Sequence, residues 1–329
     1  MSRSAPIADS VTVSVPARLH LGFMDLNGGL GRRFGGIGLA LEELGTTITI
    51  RASTQTQVEG PDHARARGYL ESMRRRLDLN ADYHVVVEQA VPPHAGLGSG
   101  TQLALAVAAG VRRLNDLPLD VAGDAIHLGR GLRSGIGIGI FTRGGLVVDG
   151  GRDADNLPAP VISHMPVPES WGVLVLLDPA RQGLHGPEEL AAFAALAPFP
   201  AEEAARLCRL VVMKLLPSLA ERDLAGFAGA VKEMQIRLGD YYAPVQGGHR
   251  FTSPQVAAAL AFLDREAAIG IGQSSWGPTG FAFAPSHVEA ARLATLLRQK
   301  PEGGGLDIRV CAALNRGAEI KVRTIRGVG

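Results

Sequence analysis

The stretch that most restricts the fold is a glycine- and proline-rich loop that runs into an apolar, alanine-rich segment at residues 91–111. Its start contains helix- and strand-breaking residues at close spacing: Pro92, Pro93, Gly96, Gly98 and Gly100. The pattern then predicts a buried helix over residues 101–113, with Ser99 and Thr101 as candidate caps. A β-branched strand is predicted at residues 83–89, so the order is strand, glycine loop, helix.

A loop of this kind brings several backbone N–H groups to the positive end of a helix dipole, and this arrangement suits a phosphate. We therefore predict a phosphate-binding loop made of Gly96, Gly98, Ser99, Gly100 and Thr101. It lacks the Lys-Ser/Thr pair of a Walker loop, and its glycines do not have the spacing of a dinucleotide-binding fold. The alternative is a connection that happens to be rich in glycine.

Composition excludes several classes of function. The 329 residues suffice for two domains or one large one, and 46% apolar with 20% charged residues is an ordinary globular balance. A net charge of +1 gives no electrostatic reason to expect nucleic acid or a membrane surface as partner. Cys208 and Cys311 are expected to be reduced core residues, and no signal peptide or membrane-spanning run is recognisable. We expect a soluble, cytoplasmic protein.

A second polar feature lies near the N-terminus. Residues 18–23 alternate in polarity, which places Arg18 and His20 on one face of a strand. His20 is either a site residue or a satisfied core histidine. Arginines in such a position suit phosphate oxygens, because the guanidinium group forks onto oxygen pairs.

The strand is followed by a glycine-dense turn that holds Asp25, Asn27 and Arg32. A loop with so many glycines cannot pack a core of its own, so its polar side chains face water or a ligand, and we favour a ligand. Asp25 suits Mg²⁺, which prefers one or two carboxylates together with a substrate. The alternative for Asp25 is a turn-forming residue whose side chain bonds to nearby backbone.

The rest of the chain suggests two domains. A second glycine-rich turn, which Arg133 flanks, is expected to be followed by a strand pair within residues 131–151. The proline-rich stretch at 157–170 predicts a boundary between domains 1–160 and 161–329. The second half reads as strand, helices, strand, helix, strand, strand, and this order fits an α+β layer better than a doubly wound sheet.

The segment Pro92-Pro-His-Ala-Gly-Leu-Gly-Ser-Gly100 resembles the phosphate loop of the GHMP small-molecule kinase superfamily. The motif Pro16-Ala-Arg-Leu-His-Leu-Gly22 and a late glycine loop at 270–280 follow the superfamily's order. The resemblance implies an α+β, two-domain GHMP-kinase-like fold with the ligand between the domains. Its N-terminal α/β domain is of a kind also found in a small-subunit ribosomal protein, and its C-terminal α+β domain is ferredoxin-like.

Two departures favour a branch that does not use ATP. Gly100 stands where these kinases usually have a second Ser, and Phe23-Met24-Asp25 replaces a Gly-Glu-His-like continuation. The stretch from Arg18 to Arg32, together with residues 133–139 and 144–151, resembles the β-ribofuranosylaminobenzene 5′-phosphate synthase family. That resemblance implies the joining of phosphoribosyl pyrophosphate to 4-hydroxybenzoate or 4-aminobenzoate, with loss of CO₂ and pyrophosphate, in methanopterin biosynthesis.

The resemblance also implies roles for single residues. Arg18 and Arg32 are expected to bind phosphate or pyrophosphate, and Asp25 to hold Mg²⁺ or to stabilise the developing cation. Arg133 is assigned to the benzoate carboxylate or the 5′-phosphate, and His20 to the para substituent. The expected catalytic set is therefore Asp25, Arg32 and His20, with Asn27 among the substrate-binding residues.

Two other classes of function stay open at this stage. One is an ATP-dependent GHMP small-molecule kinase, which needs a carboxylate opposite the γ-phosphate. The other is a non-catalytic protein that binds a phosphorylated ligand. A homodimer is the expected assembly from the general preference for two-fold symmetry.

Overall fold

The computed structural model describes residues 8–153, 157–184, 186–266 and 269–324. The strands are β1 (Ser10–Asp25), β2 (Phe34–Ser53), β3 (Gln57–Glu59), β4 (Asp82–Gln89), β5 (Leu146–Asp149), β6 (Val161–Met165), β7 (Gly172–Leu177), β8 (Ile269–Gln273), β9 (Gly280–Ala284), β10 (Asp307–Ala312) and β11 (Glu319–Arg323). The α-helices are α1 (His63–Leu77), α2 (Ser99–Leu114), α3 (Val121–His127), α4 (Ile136–Arg143), α5 (Gly186–Ala195), α6 (Ala201–Leu210), α7 (Leu216–Ala220), α8 (Leu224–Tyr242), α9 (Pro254–Arg265) and α10 (His287–Arg298).

These strands form two sheets. The first has the order β11-β1-β2-β4-β3, with β5 paired to β2 and β6 paired to β5. The second is antiparallel, with the order β10-β7-β9-β8. β6 and β11 belong to the first sheet, although both follow residue 160 in the chain. The predicted boundary between domains 1–160 and 161–329 stays a prediction.

The second sheet is buried on both faces because its central strand is apolar throughout. On β7, Val173 and Val175 pack with α6 and α8, whereas Leu174 and Leu176 pack with α9 and α10. Side chains alternate between the faces of a strand, so one continuous apolar run serves two layers of helices. The mixed α+β architecture predicted for this half is confirmed.

Helix α2 confirms the strand–loop–helix prediction, although its cap differs. The N-cap is Gly98, with φ 76°, and Ser99 and Thr101 lie inside the first turn without acting as caps. Glycine reaches this left-handed conformation without the steric cost that a side chain would bring. The helix packs against β1 and β2, where Gly110 contacts the Ile50 side chain closely.

The strand pair expected within residues 131–151 is wrong in part. Residues 136–143 form α4, and only Leu146–Asp149 is a strand. The alternating glycines serve close helix packing, since a Cβ on Gly137 would lie 2.8 Å from Thr101 Cγ2 and one on Gly139 would lie 2.6 Å from Val147 Cγ1. Tertiary contact therefore overrides the period-two pattern.

Two strand boundaries also differ from expectation. The alternating residues 11–15 followed by Pro16 predict a strand that ends at the proline. Instead, β1 continues through Pro16, because a register shift between Pro16 and Ala17 accommodates the missing N–H donor. The late glycine loop at 270–280 begins as strand β8, with a register shift between Ile269 and Ile271, and only residues 274–279 turn.

Cys208 and Cys311 are both free thiols, the first half-buried and the second buried, as predicted. Within the described ranges, the helices are too short or too polar to cross a membrane.

Candidate functional site

A cleft of about 540 Å³ opens where the two sheets meet, and this volume is typical of sites for small molecules. Its walls come from β1, the loop before α2, the loop before α4, the start of α5 and the turn after β8. The cleft gathers eight of the residues predicted for the site: Arg18, His20, Gly96, Gly98, Ser99, Gly100, Thr101 and Arg133.

The glycine loop presents backbone donors to this cleft. The first intrahelical bonds are donated by the amides of Thr101 and Gln102 to the Gly98 carbonyl, each at 3.1 Å. The amides of Ser99 and Gly100 lie ahead of these bonds, where a helix offers no acceptor. An anion at this point would receive both N–H groups and the positive end of the helix dipole.

Glycine is required in the loop because another backbone approaches it. Gly96 has φ 80°, and a Cβ there would lie 2.2 Å from the Ser274 carbonyl oxygen. The Ser274 hydroxyl donates to the Gly96 carbonyl at 2.8 Å and accepts from the His20 amide at 2.9 Å. Ser274 thus connects the phosphate loop, strand β1 and the turn after β8.

Arg18 lies directly under the loop, as the alternation along β1 predicted. Its amide donates to the Leu97 carbonyl at 3.0 Å and its Nη2 donates to the Gly96 carbonyl at 3.2 Å. Its buried Nε has no hydrogen-bond partner within the protein. Burial lowers the pKa of Arg18 to about 10, against the opposing effect of Glu189 and Asp149, so the group stays cationic at neutral pH.

Two further arginines, whose role the sequence did not reveal, flank the start of α2. The Arg65 Nε donates to Asp62 at 2.7 and 2.9 Å, and its Nη2 lies 3.4 Å from the Ser99 hydroxyl. Arg130 donates to the Tyr69 hydroxyl at 2.5 Å and lies over that ring at 5.3 Å. A Cβ on Gly100 would be 3.0 Å from Arg130 Nη1 and 3.3 Å from Arg65 Nη1.

The loop before α4 is fixed by a buried carboxylate that the sequence reasoning did not single out. Asp149 accepts from the Gly36, Gly135 and Gly151 amides at 2.9–3.0 Å and from the Ser134 hydroxyl at 2.7 Å. Burial raises its pKa, although these four donors act in the opposite direction. Asp149 does not line the cleft but shapes the loop that carries Arg133.

Arg133 reaches the cleft wall and forms an ion pair with Glu189 of α5. Its guanidinium group also lies 5.8 Å from the centre of the Phe193 ring. Among the described residues that line the cleft, Glu189 is the one carboxylate. The lining is therefore strongly cationic and suited to a polyanion.

The inner end of the cleft is aromatic. The rings of Tyr242 and Trp276 are 4.5 Å apart, and those of His20 and Phe23 are also 4.5 Å apart. Burial, with a smaller effect of Arg18, holds the pKa of His20 well below its usual range, so the imidazole is neutral at pH 7. A flat, apolar ligand group would find complementary surfaces here.

Asp25, Asn27 and Arg32 are absent from the described lining of the cleft. Asp25 Oδ1 accepts from the Asn27 and Gly28 amides at 2.7 and 2.9 Å, which is a turn-forming contact. Asn27 donates to the Phe199 carbonyl, and Arg32 donates to the Gly151 carbonyl and to Asp153. The catalytic and metal roles assigned to Asp25 and Arg32 stay predictions.

The described residues do not supply a ready metal site. No group of three or more His, Cys, Asp or Glu side chains in the described ranges is placed to hold an ion. Asp25 uses one carboxylate oxygen for its turn, and Glu189 is paired with Arg133. A Mg²⁺ held by one or two carboxylates together with a substrate stays a prediction.

Comparisons with known proteins agree with this architecture. Residues 64–145 match the family described as GHMP kinases N terminal domain, and residues 215–302 match GHMP kinases C terminal. Similar folds include a homoserine kinase from Cytophaga hutchinsonii (TM-score 0.67, 16% identity, 95% of this chain and 98% of that one). A mevalonate diphosphate decarboxylase from Staphylococcus aureus is also similar (TM-score 0.66, 14% identity, 95% and 98%).

Stronger sequence similarity points to a different activity. A β-ribofuranosylphenol 5′-phosphate synthase from Archaeoglobus fulgidus is 35% identical over 321 residues, covering 93% of this chain and 98% of that protein. A protein of the same name from Methanothermobacter thermautotrophicus is 31% identical over 304 residues, covering 85% and 91%.

Proposed function

The chain belongs to the β-ribofuranosylphenol 5′-phosphate synthase family, and from this premise we propose that it is a decarboxylating phosphoribosyltransferase. It joins C1 of phosphoribosyl pyrophosphate to the ring carbon of a 4-substituted benzoate that bears the carboxylate. Pyrophosphate and CO₂ are released. The relatives' name supports a phenol product, so 4-hydroxybenzoate is the first acceptor to test and 4-aminobenzoate the second.

The observation that carries this proposal is the meeting of a cationic glycine loop and an aromatic end in one cleft. Arg18, Arg65 and Arg130 surround the start of α2, where the amides of Ser99 and Gly100 lie ahead of the first intrahelical bonds. A phosphorylated, multiply charged donor suits this part of the cleft, because guanidinium groups bind phosphate oxygens in pairs. Phe23 and Trp276 line the other end, where a benzoate ring suits them.

The reaction asks mainly for placement and for stabilisation of charge. Departure of pyrophosphate from C1 leaves an oxocarbenium-like ribose, and the arginines stabilise the charge that develops on the leaving group. The ring carbon then forms the new bond while it still carries the carboxylate, and the electron pair of the broken carbon–carboxylate bond returns to the ring. Holding donor and acceptor in one geometry removes much of the entropic barrier.

Mg²⁺ enters this proposal as a counter-ion that the donor's pyrophosphate brings, since the described side chains do not form a cage for it. No step of the reaction is assigned to the ion. Arg133, released from Glu189, is the proposed partner of the acceptor carboxylate. We further propose a cytoplasmic homodimer whose product enters methanopterin-type carriers; the mass of the protein in solution tests the dimer.

A kinase is the second candidate, because the fold is shared with homoserine kinase. Phosphoryl transfer from ATP needs a carboxylate that accepts the substrate proton or orients the nucleophile. Glu189 is the one carboxylate in the described lining and it is ion-paired, which disfavours this reading.

The test is a reaction of purified protein with Mg²⁺, phosphoribosyl pyrophosphate and each acid, followed by mass spectrometry. We expect a C-glycoside of the decarboxylated ring, retaining the 5′-phosphate. Parallel reactions with ATP and simple alcohols, including homoserine, serve as the kinase arm. A phosphorylated alcohol with no C-glycoside would overturn the proposal.

A further inference from the structure

A small cavity of about 20 Å³ adjoins the aromatic end of the cleft. It shares His20, Phe23, Ser275 and Trp276 with the cleft and adds Tyr242 from the end of α8. A cavity of this size holds about one water molecule, which is also the size of a single hydroxyl group. The cavity is too small for an aromatic ring, whereas the adjoining cleft is large enough.

Three residues that line this cavity each carry a buried polar atom with no hydrogen-bond partner within the protein: His20 Nε2, Tyr242 Oη and Trp276 Nε1. The His20 and Trp276 side chains are almost wholly buried, at 2% and 3% exposure. Buried polar groups in proteins are nearly always satisfied, because an unpaired one is costly. Three such atoms, each on a residue that lines one hydroxyl-sized space, point to a polar group that a ligand supplies.

We propose that this cavity is the subsite for the para oxygen of the acceptor, and that Trp276 Nε1 and His20 Nε2 recognise that oxygen. This inference rests on the proposed function. The ring then lies in the cleft beside Phe23 and Trp276, which line both spaces. Its carboxylate points away from the cavity, towards the arginine-rich part of the cleft.

The donor and acceptor chemistry of the subsite selects a hydroxyl group over an amine. An indole N–H only donates, so the group in the cavity must accept from Trp276. A phenolic oxygen accepts and also has one proton to donate to His20. The nitrogen of an aromatic amine carries two protons, and its lone pair is delocalised into the ring, so it is a poor acceptor. With 4-aminobenzoate the indole N–H stays buried and unpaired.

The neutral imidazole also gives His20 a role in the chemistry. As the ring carbon attacks C1 of the ribose, the phenolic proton passes to His20 Nε2 and the ring becomes a neutral dienone that still carries the carboxylate. The carbon–carboxylate bond then breaks, CO₂ leaves, and its electron pair restores the aromatic ring. The proton returns from His20 to the oxygen, so the cycle consumes and releases none.

Trp276→Phe is the most direct test, because it removes the N–H donor and keeps an aromatic ring. We expect the wild type to favour 4-hydroxybenzoate over 4-aminobenzoate by about 10- to 100-fold in kcat/KM, the range for one unpaired buried donor. In Trp276→Phe the ratio should fall towards one, chiefly through slower use of 4-hydroxybenzoate. The KM for phosphoribosyl pyrophosphate should change less than threefold.

The neighbouring tyrosines provide a matched control. Tyr242→Phe removes a hydroxyl at the cavity, whereas Tyr241→Phe removes one that donates to the Ala197 carbonyl at 2.8 Å, away from the cavity. We expect Tyr242→Phe to reduce the preference for the hydroxy acid and Tyr241→Phe to leave it unchanged. If the ratio of kcat/KM for the two acids is unchanged in both Trp276→Phe and Tyr242→Phe, the proposed subsite is wrong.

Calorimetry can measure the binding of the two acids to the wild type and to Trp276→Phe without any turnover. It therefore tests the subsite independently of the proposed function. If neither acid yields CO₂ with the wild type, the proposed function fails. Tighter binding of 4-hydroxybenzoate that is lost in Trp276→Phe would still support the subsite. Equal binding of both acids to the wild type would contradict it.

Discussion

Substitution of Arg130 tests the phosphate-binding end of the cleft. It contacts Tyr69 and lies beside Gly100, so it is held in place before any ligand arrives. We predict that Arg130→Met raises the KM for phosphoribosyl pyrophosphate by about 10- to 100-fold, the range for one charge-assisted hydrogen bond. Steady-state kinetics at fixed salt concentration measure this.

Arg143 is the matched control for that substitution, since it is an exposed arginine on α4 outside the cleft lining. Arg143→Met should leave the KM for the donor within twofold of wild type. Equal effects of the two substitutions would mean that Arg130 contributes only general charge.

His20 makes a pH-dependent contribution to stability whose sign follows from its burial. Its pKa lies well below the ordinary histidine value of 6.5 in the folded protein, so below about pH 6.5 the unfolded chain binds a proton that the folded chain does not. Stability is therefore lost as the pH falls below 6.5. We predict that His20→Gln flattens the dependence between pH 6.5 and pH 5 by up to about 1.4 kcal/mol per pH unit.

Urea unfolding of both proteins at several pH values measures this difference. Parallel curves of unfolding free energy against pH for wild type and His20→Gln would contradict the assignment of a neutral, buried imidazole. The substitution also removes the proposed proton acceptor, but the unfolding measurement does not depend on activity.

Part of this residue-scale picture was predictable. The alternation along β1 placed Arg18 and His20 on one face, and both line the cleft. Arg65 was not predictable, because a charged residue in the first turn of a polar helix usually faces solvent. Its position beside Ser99 depends on the packing of α1 against α2, which no local pattern encodes.

At the scale of elements, the glycine loop before α2 is the most sensitive part. Gly96→Ala would combine a strained positive φ with a Cβ 2.2 Å from the Ser274 carbonyl oxygen. We predict that the unfolding free energy falls by more than the roughly 1–2 kcal/mol that a positive φ alone costs a residue with a Cβ. We also predict a large loss of donor binding. Thermal unfolding and calorimetric titration with pyrophosphate measure the two effects.

Gly247→Ala separates the effect of backbone strain on stability from the effect of a steric clash. Gly247 also has a positive φ, 71°, but a Cβ there meets nothing within 4 Å. Gly247→Ala should lose only the unfolding free energy that a positive φ costs, and it should bind pyrophosphate normally. A Gly96→Ala protein that matches Gly247→Ala in stability and binding would refute the close approach of loop and turn.

Asp149 offers a second test at this scale, because it fixes the loop between α3 and α4. Asp149→Asn replaces one acceptor oxygen with an NH₂ group that opposes the donors of the loop. We predict a loss of about 1–3 kcal/mol in unfolding free energy and a higher KM for the acceptor, through displacement of Arg133. Ser134→Ala removes one of the four bonds to Asp149 and the bond that the hydroxyl accepts from the Ile136 amide at 3.2 Å, and it leaves the carboxylate in place, so it should give a smaller loss of stability. The reverse order would argue against this account.

Elements with a clear local signal were predicted well. The apolar run of α2 between a glycine loop and charged residues gave its position to within two residues at its start. α4 was missed because its alternating glycines imitate a strand, while their function is close packing against Thr101 and Val147. Such a requirement exists only once the neighbours are in place.

At the scale of the whole molecule, the cleft depends on contacts between distant parts of the chain. The His20 amide and the Ser274 hydroxyl are 254 positions apart in sequence and 2.9 Å apart in space. Sequence motifs predicted the family and its fold, but they did not predict the contact of Ser274 with β1. The small cavity at the inner end of the cleft therefore had no signal in the sequence.

Binding of the donor should stabilise the whole protein, since the cleft joins both sheets. At a ligand concentration of about 100 times Kd, the gain in unfolding free energy is about 2.7 kcal/mol. We predict this gain with phosphoribosyl pyrophosphate and a clearly smaller one with Arg130→Met. ATP with Mg²⁺ should give no comparable shift in thermal unfolding. A larger shift with ATP than with the donor would favour the kinase.

The central claim is that one cleft activates a phosphoribosyl donor and exchanges the acceptor's carboxylate for ribose. Its most direct measurement is the release of labelled CO₂ from carboxyl-labelled 4-hydroxybenzoate, with pyrophosphate quantified in the same reaction. We predict equimolar CO₂ and pyrophosphate that depend on phosphoribosyl pyrophosphate and are not supported by ATP. Absence of labelled CO₂ from both 4-hydroxybenzoate and 4-aminobenzoate, together with ATP consumption in the presence of an alcohol, would contradict it.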